Sequence, residues 1–349
     1  MPTVPKYWDS FETYAALTDL DSKLTLTGTA LLEAVRARSG DRSLCLVGAA
    51  NLAGGAELAT ALPSSAHVVL NFHVHVGGHN TALDRAVVDF RIGTTLKARI
   101  AIRDTRVQLR VPNTVVETSA TPPPSGSQYW EVIYYSHASS GYFVLYIDGA
   151  EFVRFDGNTE GASGGADNLI IRSGQASAST VTDLRWNFDD LVVAVVEGGD
   201  IGGGVGDVRL GAVNHSIIVP TGDVSTAGTP STGSDNFAMV DELPSDGDAT
   251  HVEFAAVADK DLYSHGSSLP ADTVPIGVKV TSIQRLPSGG TTQVRHLLDN
   301  TSSEVQGSDN AVGEPYAARS HAWSQSPFTS GAWSKAEVEA LRFGVEARA

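Results

Sequence analysis

The sequence predicts an all-β protein: two β-sandwich domains in series, with one short C-terminal helix. Three observations carry this. Period-two alternation of apolar and polar residues dominates the N-terminal half. Turn-forming residues cut the chain into short runs, glycine alone supplying 35 of 349 residues. The stretch "EGGDIGGGVGD" (197–207) interrupts the pattern and reads as a domain boundary. The expected domains are therefore 1–198 and 207–349, with 199–206 as a glycine-rich linker.

The elements follow in order. "RSLCLVG" around Cys45 is a strand-like run. "HVVLNFHVHV" (67–76) places Val68, Leu70, Phe72, Val74 and Val76 on one face, and His67, Val69, Asn71, His73 and His75 on the other. The first face is expected in the core and the second half exposed. "AVVDFRIG" (86–93), "LKARIAI" (96–102) and "RVQLRV" (106–111) are further strands, the last two joined by a tight turn at "RDT" (103–105). Three prolines make "TPPPSGSQ" (121–128) a loop, because proline cannot donate to a ladder. "YWEVIYYS" (129–136), "YFVLYI" (142–147) and "AEFVRF" (150–155) form consecutive hairpins. Their turns are "HASSG" (137–141) and Asp148-Gly149, the latter suited to type I′. "NLIIRS" (168–173) and "LRWNFDDLVVAVV" (184–196) complete the first domain.

In the second half, strands are expected at "DVRLGAV" (207–213), "ATHVEFAAV" (249–257), "PIGVKVTSIQRL" (275–286), "TTQVRHLLD" (291–299) and "RFGVEAR" (342–348). "PSGG" (287–290) would join two of them as a hairpin. "SPFTSGAWSKAEVEAL" contains the one convincing helix, with Ser334 as N-cap and Glu337 completing a capping box.

Charge excludes some partners. Lys and Arg total 24 against 40 Asp and Glu, a net −16. Such a surface repels nucleic acid and anionic membranes. A single cysteine rules out an intramolecular disulfide and is expected to be buried packing. No basic-then-apolar leader opens the sequence, so no signal peptide is expected, and runs such as "LVVAVV" (191–196) are too short to span a bilayer.

Several stretches resemble a known group. "YWDSFETYAALTDLDSKL", the hairpins over Trp130–Glu151 and "WNFDDLVV" (186–193) resemble the concanavalin-A-like, or laminin-G-like, jelly rolls of tailed-bacteriophage virion proteins. "GDVRLGAV", "TPSTGSDNFAMVDELPSDGDATHVE" and "DKDLYS" resemble the segment that often follows that jelly roll. "AWSKAEVEALRFGVEA" resembles the way such chains end. This chain has "NHSIIVPTGD" where the second segment usually opens with "P-x-x-G". The resemblance implies a non-enzymatic structural component of the virion, a head decoration or spike or a tail or fibre protein. It would assemble as a symmetric homo-oligomer with other virion proteins. The alternative is an adhesin binding host surface glycans, and after it a glycosidase.

His73 and His75 point to one side of a strand and could share a metal, with His79 beyond a Gly-Gly turn. A histidine pair alone is weak evidence for a site, and polar residues on a half-exposed strand account for them better, so no metal is expected. Asp156, Asp167, Asp189 and Asp190 are the candidate ligands for Ca²⁺, but none has the spacing of a calcium loop. No cofactor is expected. Paired glutamates at glucanase spacing and phosphate loops are absent from the sequence, so no enzyme is expected. Trp323, Trp333, Tyr134 and Tyr142 are the candidates for stacking on a sugar or anchoring an interface, while Trp130 and Trp186 are expected to pack in the core.

Overall fold

The computed structural model describes residues 3–34, 37, 42–47, 56–76, 85–172, 185–197, 208–286 and 293–349. The chain is all-β, with antiparallel sheets, sandwich domains and one short helix near the C-terminus. It divides into two compact units. The first holds Met1–Phe11 and Lys23–His215, the second Glu12–Ser22 and Ser216–Ala349. The division thus falls after His215, downstream of the glycine-rich stretch 199–206, which lies outside the described residues.

Unit one contains β1 (Thr3–Asp9), β2 (Leu24–Thr27), β3 (Ala30–Glu33), β4 (Ser43–Val47), β5 (Glu57–Ser65), β6 (His67–Val76), β7 (Arg85–Ile92) and β8 (Thr95–Arg103). It continues with β9 (Arg106–Val111), β10 (Thr114–Thr118), β11 (Gly126–Tyr135), β12 (Gly141–Ile147), β13 (Ala150–Gly157), β14 (Ala166–Arg172) and β15 (Arg185–Val196). One sheet has the order β13-β12-β11-β6-β15-β4-β3, with β1 also on β15; the other is β10-β9-β8-β7-β14-β5-β2.

The two sheets meet through aromatic side chains. Phe90 of β7 lies 5.0 Å from the Tyr134 ring and 5.9 Å from the Phe143 ring of the opposite sheet. Phe72, Trp130, Trp186 and Phe188 continue this layer, with centroids 5.6 to 6.2 Å apart. Burying each such ring stabilises the fold by about 1.5–3 kcal/mol. Trp130 and Trp186 pack in the core as expected, and Cys45 is buried.

Local chemistry sets the turns. Asp104 and Thr105 have φ of 51° and 66°, and Asp148 and Gly149 have 50° and 83°, the paired positive values of type I′ hairpins. The Asp148 carboxylate also accepts from the Tyr129 N–H at 2.9 Å, which holds the turn against β11.

Tyr134 yields a testable consequence of this packing. Its hydroxyl donates to the Thr159 carbonyl at 2.7 Å, and burial pushes its pKa up to about 12. A raised phenol stabilises the fold fully below its unfolded value near 10, and that contribution disappears as pH rises toward 12. Chemical denaturation should therefore show a loss on the order of 2 kcal/mol between those values. A Tyr134→Phe variant that kept the same alkaline loss would assign it to another group.

Unit two contains β16 (Gly222–Ser225), β17 (Thr229–Pro230), β18 (Val252–Glu253), β19 (Lys260–Ser264), β20 (Val278–Gln284), β21 (Gln293–Asp299), β22 (Glu304–Ala311), β23 (Ala317–Trp323), α1 (Lys335–Glu339) and β24 (Arg342–Arg348). A five-stranded sheet, β16-β19-β24-β21-β22, is accompanied by the ribbons β17-β18 and β20-β23. Leu269, Leu298, Trp333, Val338 and Leu341 form its core cluster. The expected capping box is present: Ser334 Oγ accepts from the Glu337 N–H at 3.2 Å, and Glu337 Oε2 accepts from the Ser334 N–H at 2.8 Å.

Three expectations need correction here. "DVRLGAV" is not a strand in its described part, Val208–Val213. The strand expected at 249–257 shrinks to Val252–Glu253, paired only with Thr229–Pro230. The strands flanking "PSGG" (287–290, outside the described residues) are not hairpin partners. β20 pairs with β23, whereas β21 has β22 and β24 on its two edges, so no edge of β21 remains for β20.

Candidate functional site

The outward face of the eight-stranded sheet is not half exposed, and this corrects the expectation for the histidine face. β6 lies between β11 and β15, so its outward residues meet neighbours on both sides. Register places Asn71 beside Glu131 and Val192, and His73 beside Tyr129 and Asp189. Around them Val69, Ile133, Tyr135, Val144 and Ala194 make a second apolar cluster on that face, to which Val208 and Leu210 add their side chains. The segment 208–215 therefore lies over the face as a strap.

Polar contacts fix the strap in place. Glu131, with no exposed surface, receives the Leu210 and Gly211 N–H groups at 2.8 and 3.1 Å on one oxygen and Arg209 Nε at 2.7 Å on the other. The Arg209 guanidinium also lies 3.8 Å from the centre of the Tyr146 ring. Asn71 Nδ2 donates to the Gly211 carbonyl at 2.8 Å, and the Tyr129 hydroxyl donates to the same oxygen. Val213 N–H donates to that hydroxyl at 3.0 Å. His215 closes the strap, its Nδ1 at 2.8 Å from Asp190 Oδ1. Asp190 stands at a β-bulge with φ of 49°, which turns its carboxylate out of the regular alternation.

The metal candidates are not gathered by this arrangement. His73 is buried, and His75 Nδ1 is 2.9 Å from Ser127 Oγ. His79 lies outside the described residues. Asp156 is paired with Arg154 at 2.7 Å, and Asp167 accepts from the Gly93 N–H at 2.7 Å. Asp189 caps the Asp190 N–H at 2.8 Å. These aspartates sit on β13, β14 and β15, in two different sheets. Among the described residues, no three His, Cys, Asp or Glu side chains are placed to hold a metal.

The aromatic candidates are also placed differently from a stacking platform. Tyr134 has no exposed surface, since it faces the inter-sheet core. Tyr142 is buried on the outward face, with its hydroxyl 2.9 Å from His67 Nε2. Trp333 is buried in unit two, and its Nε1 donates to the Trp323 carbonyl at 2.8 Å. Trp323 is half-buried beside the His321 ring at 4.4 Å. Of the four, Trp323 alone retains appreciable exposure.

Unit two holds a cavity of about 530 Å³. Its walls mix apolar side chains such as Val219, Val280 and Ile283 with polar ones such as Glu242, His251 and Gln284. At one side Tyr316 donates to Asp248 Oδ1 at 2.6 Å, and Arg285 meets the same oxygen at 2.7 Å. Burial, and the hydrogen bond to Asp248, push the Tyr316 hydroxyl up to about 12. The sequence offered no signal for this cavity beyond scattered apolar residues in the loop 239–255. For the strap the available signal was Glu131, a carboxylate inside the apolar run "YWEVIYY".

No known protein family matches the chain, and no curated protein does. Solved structures resemble it in part. A cellulose-induced protein, Cip1, aligns with a TM-score of 0.44 at 16% identity, over 56% of this chain and 100% of its own. The alginate lyase Aly36B aligns at 0.39 and 15%, over 56% and 99%. The CBM2 module of the evolved Dit of Lactobacillus casei BL23 phage J-1 aligns at 0.37 and 11%, over 56% and 98%. These neighbours are jelly-roll or sandwich folds, one of them a phage module. Further alginate lyases, including one from a Chlorella virus, resemble the chain as well. The expectation that the chain is no enzyme is corrected on this finding: several of the solved structures that resemble it in part are alginate lyases, which are enzymes.

Proposed function

We propose that the chain is a structural component of a tailed-phage virion, working by assembly and surface display in a head decoration or spike, or in a tail or fibre. One observation carries the reading. Of the eight large aliphatic side chains most exposed among the described residues, six belong to unit two: Ile217, Val224, Val240, Leu243, Val257 and Val274. Ile217, Val240 and Leu243 also line its cavity, so apolar surface continues from the cavity to the outside. Grouped apolar side chains, as Ile217, Val240 and Leu243 are at the cavity, favour contact with another protein. The partners on this reading are copies of the chain itself and other virion proteins. The net charge of −16 disfavours nucleic acid and anionic membranes as partners. The location is the virion, and the role requires no cofactor. The sequence resemblance to phage virion jelly rolls supports the same context.

Mass photometry of the full chain, with imaging of intact particles, tests the proposal. A closed oligomer is expected, dissociating in Leu243→Asp while circular dichroism is unchanged, together with a repeated position for the chain on the particle. A monomer in solution that is absent from particles would overturn it.

A further inference from the structure

We propose that the cavity of unit two takes an extended, basic peptide segment of another protein, which adds as a strand to the open edge of β20. The inference rests on the reading of unit two as an assembly surface and names the kind of partner that surface fits. Among the described residues, β20 pairs with β23 alone. In an antiparallel strand every second residue turns its N–H and C=O to one edge, so the edge away from β23 carries a row of backbone donors and acceptors. That edge faces the cavity. Residues 280–286 line it without a gap, although successive side chains of a strand point to opposite faces. A wall formed by the face of a strand would take every second residue; an unbroken run means that the cavity meets the strand edge-on. No residue of β23 lines the cavity, so the edge concerned is the unpaired one.

The opposite wall repeats the pattern. Residues 250–255 also line the cavity without a gap, and they contain β18, whose partner β17 contributes nothing to the lining. The cavity therefore lies between two unpaired strand edges, which an extended chain satisfies by adding to the ladder. The β20 edge is also unguarded. Its register with β23 is unbroken, it holds no proline, and Lys279 near its start is its one charge. Edges left in this state accept another strand. The run 280–286 spans about 20 Å, room for a segment of about six residues. Val219, Val280 and Ile283 offer apolar surface to its side chains. Charge selects the segment further. Glu242, Asp246 and Glu253 line the cavity, and among the described residues none of them is in an ion pair. Arg285, the one lysine or arginine of the lining, is already held by Asp248 at 2.7 Å. A lysine or arginine in the segment complements these carboxylates. A second copy of the chain, at net −16, is the poorer source of such a segment.

An array of synthetic peptides of about six residues, titrated with the full chain, is the test. Peptides alternating valine or isoleucine with lysine or threonine are expected to bind saturably, and their glutamate counterparts are not. Binding should add hydrogen-exchange protection at alternate amides of 280–284. Methylating alternate backbone nitrogens of a bound peptide removes its ladder donors, and affinity should fall at least about tenfold. Glu253→Lys, at an exposed position, should weaken the lysine peptides by a similar factor and admit the glutamate ones. Thermal melts accompany the variant, and Glu253→Gln serves, with a smaller fall, if it does not fold. Failure of every peptide to bind, or binding indifferent to methylation, would overturn the proposal. Oligomers of the chain that disperse in Glu253→Lys without any peptide binding would also overturn it, and make a second copy the occupant. A chain found on particles whose cavity takes no peptide defeats this inference and leaves the assembly reading standing.

Discussion

Replacing Glu131 with alanine is expected to destabilise unit one by about 3–5 kcal/mol, the usual cost of removing one partner from a buried ion pair. The carboxylate has no exposed surface and serves three donors: the Leu210 N–H, the Gly211 N–H and Arg209 Nε. Alanine leaves the two amides against an apolar cluster without an acceptor, each a cost of about 1–3 kcal/mol if it stays buried. The strap can relieve that cost by lifting, which instead exposes Val208 and Leu210 and the apolar cluster beneath them. Both routes lower stability, and hydrogen exchange separates them. Lifting removes protection at Leu210 and Gly211 while β6 amides stay protected. Glu131→Gln keeps the shape and one acceptor, so a smaller loss is expected. An unchanged urea midpoint and unchanged protection at Leu210 in Glu131→Ala would show that the strap is held by apolar contact alone.

The second large effect is expected at Asp89. Burial raises its carboxyl pKa, but the Arg99 hydrogen bond and the charges of Arg99 and Arg172 outweigh burial and hold it below the ordinary carboxylate range. Asp89→Asn removes the one charge on which the guanidiniums of Arg91, Arg99 and Arg172 converge. The arginines then repel one another, and a loss of about 3 kcal/mol or more is expected near neutral pH. The pH dependence has a definite sign. A depressed carboxyl stabilises the fold above its unfolded value, about 3.9, and that contribution is lost as pH falls through the folded value below it. Wild-type urea midpoints should therefore drop on acidification below about pH 4, and the difference from Asp89→Asn should shrink over the same window. A difference that stayed constant down to about pH 2 would show that the variant acts through packing rather than charge.

Much of unit one is legible in the sequence because its signals are local. The turns at Asp104-Thr105 and Asp148-Gly149 need only residues that accept positive φ next to alternating runs. The α1 cap is a matter of Ser334 and Glu337, three residues apart. The core face of β6 follows from Val68, Leu70, Phe72 and Val74, all buried as expected. Unit two is less legible for the converse reason. "EVQGSDNA" and "AARSHAW" show no strand alternation, and they are strands because β21 and β20 offer them ladders.

The candidate sites were hardly legible at all. Tyr134 and Tyr142 alternate with apolar residues just as surface aromatics do, and only the neighbouring layer shows both to be buried. "VKVTSIQ" reads as any other strand until its pairing with β23 alone leaves one edge open.

The stretch "HVVLNFHVHV" separates the two kinds of information. Its alternation alone determined that residues 67–76 form a strand with one apolar face, because a period of two is a local property of the backbone. What lies on the opposite face was decided only by tertiary structure. The contact from Asn71 to Gly211 spans 140 residues, and the strap that makes it gives no sign in its own composition of where it will dock. A sequence records which side chains share a face, and the chain's long-range closure decides what covers that face.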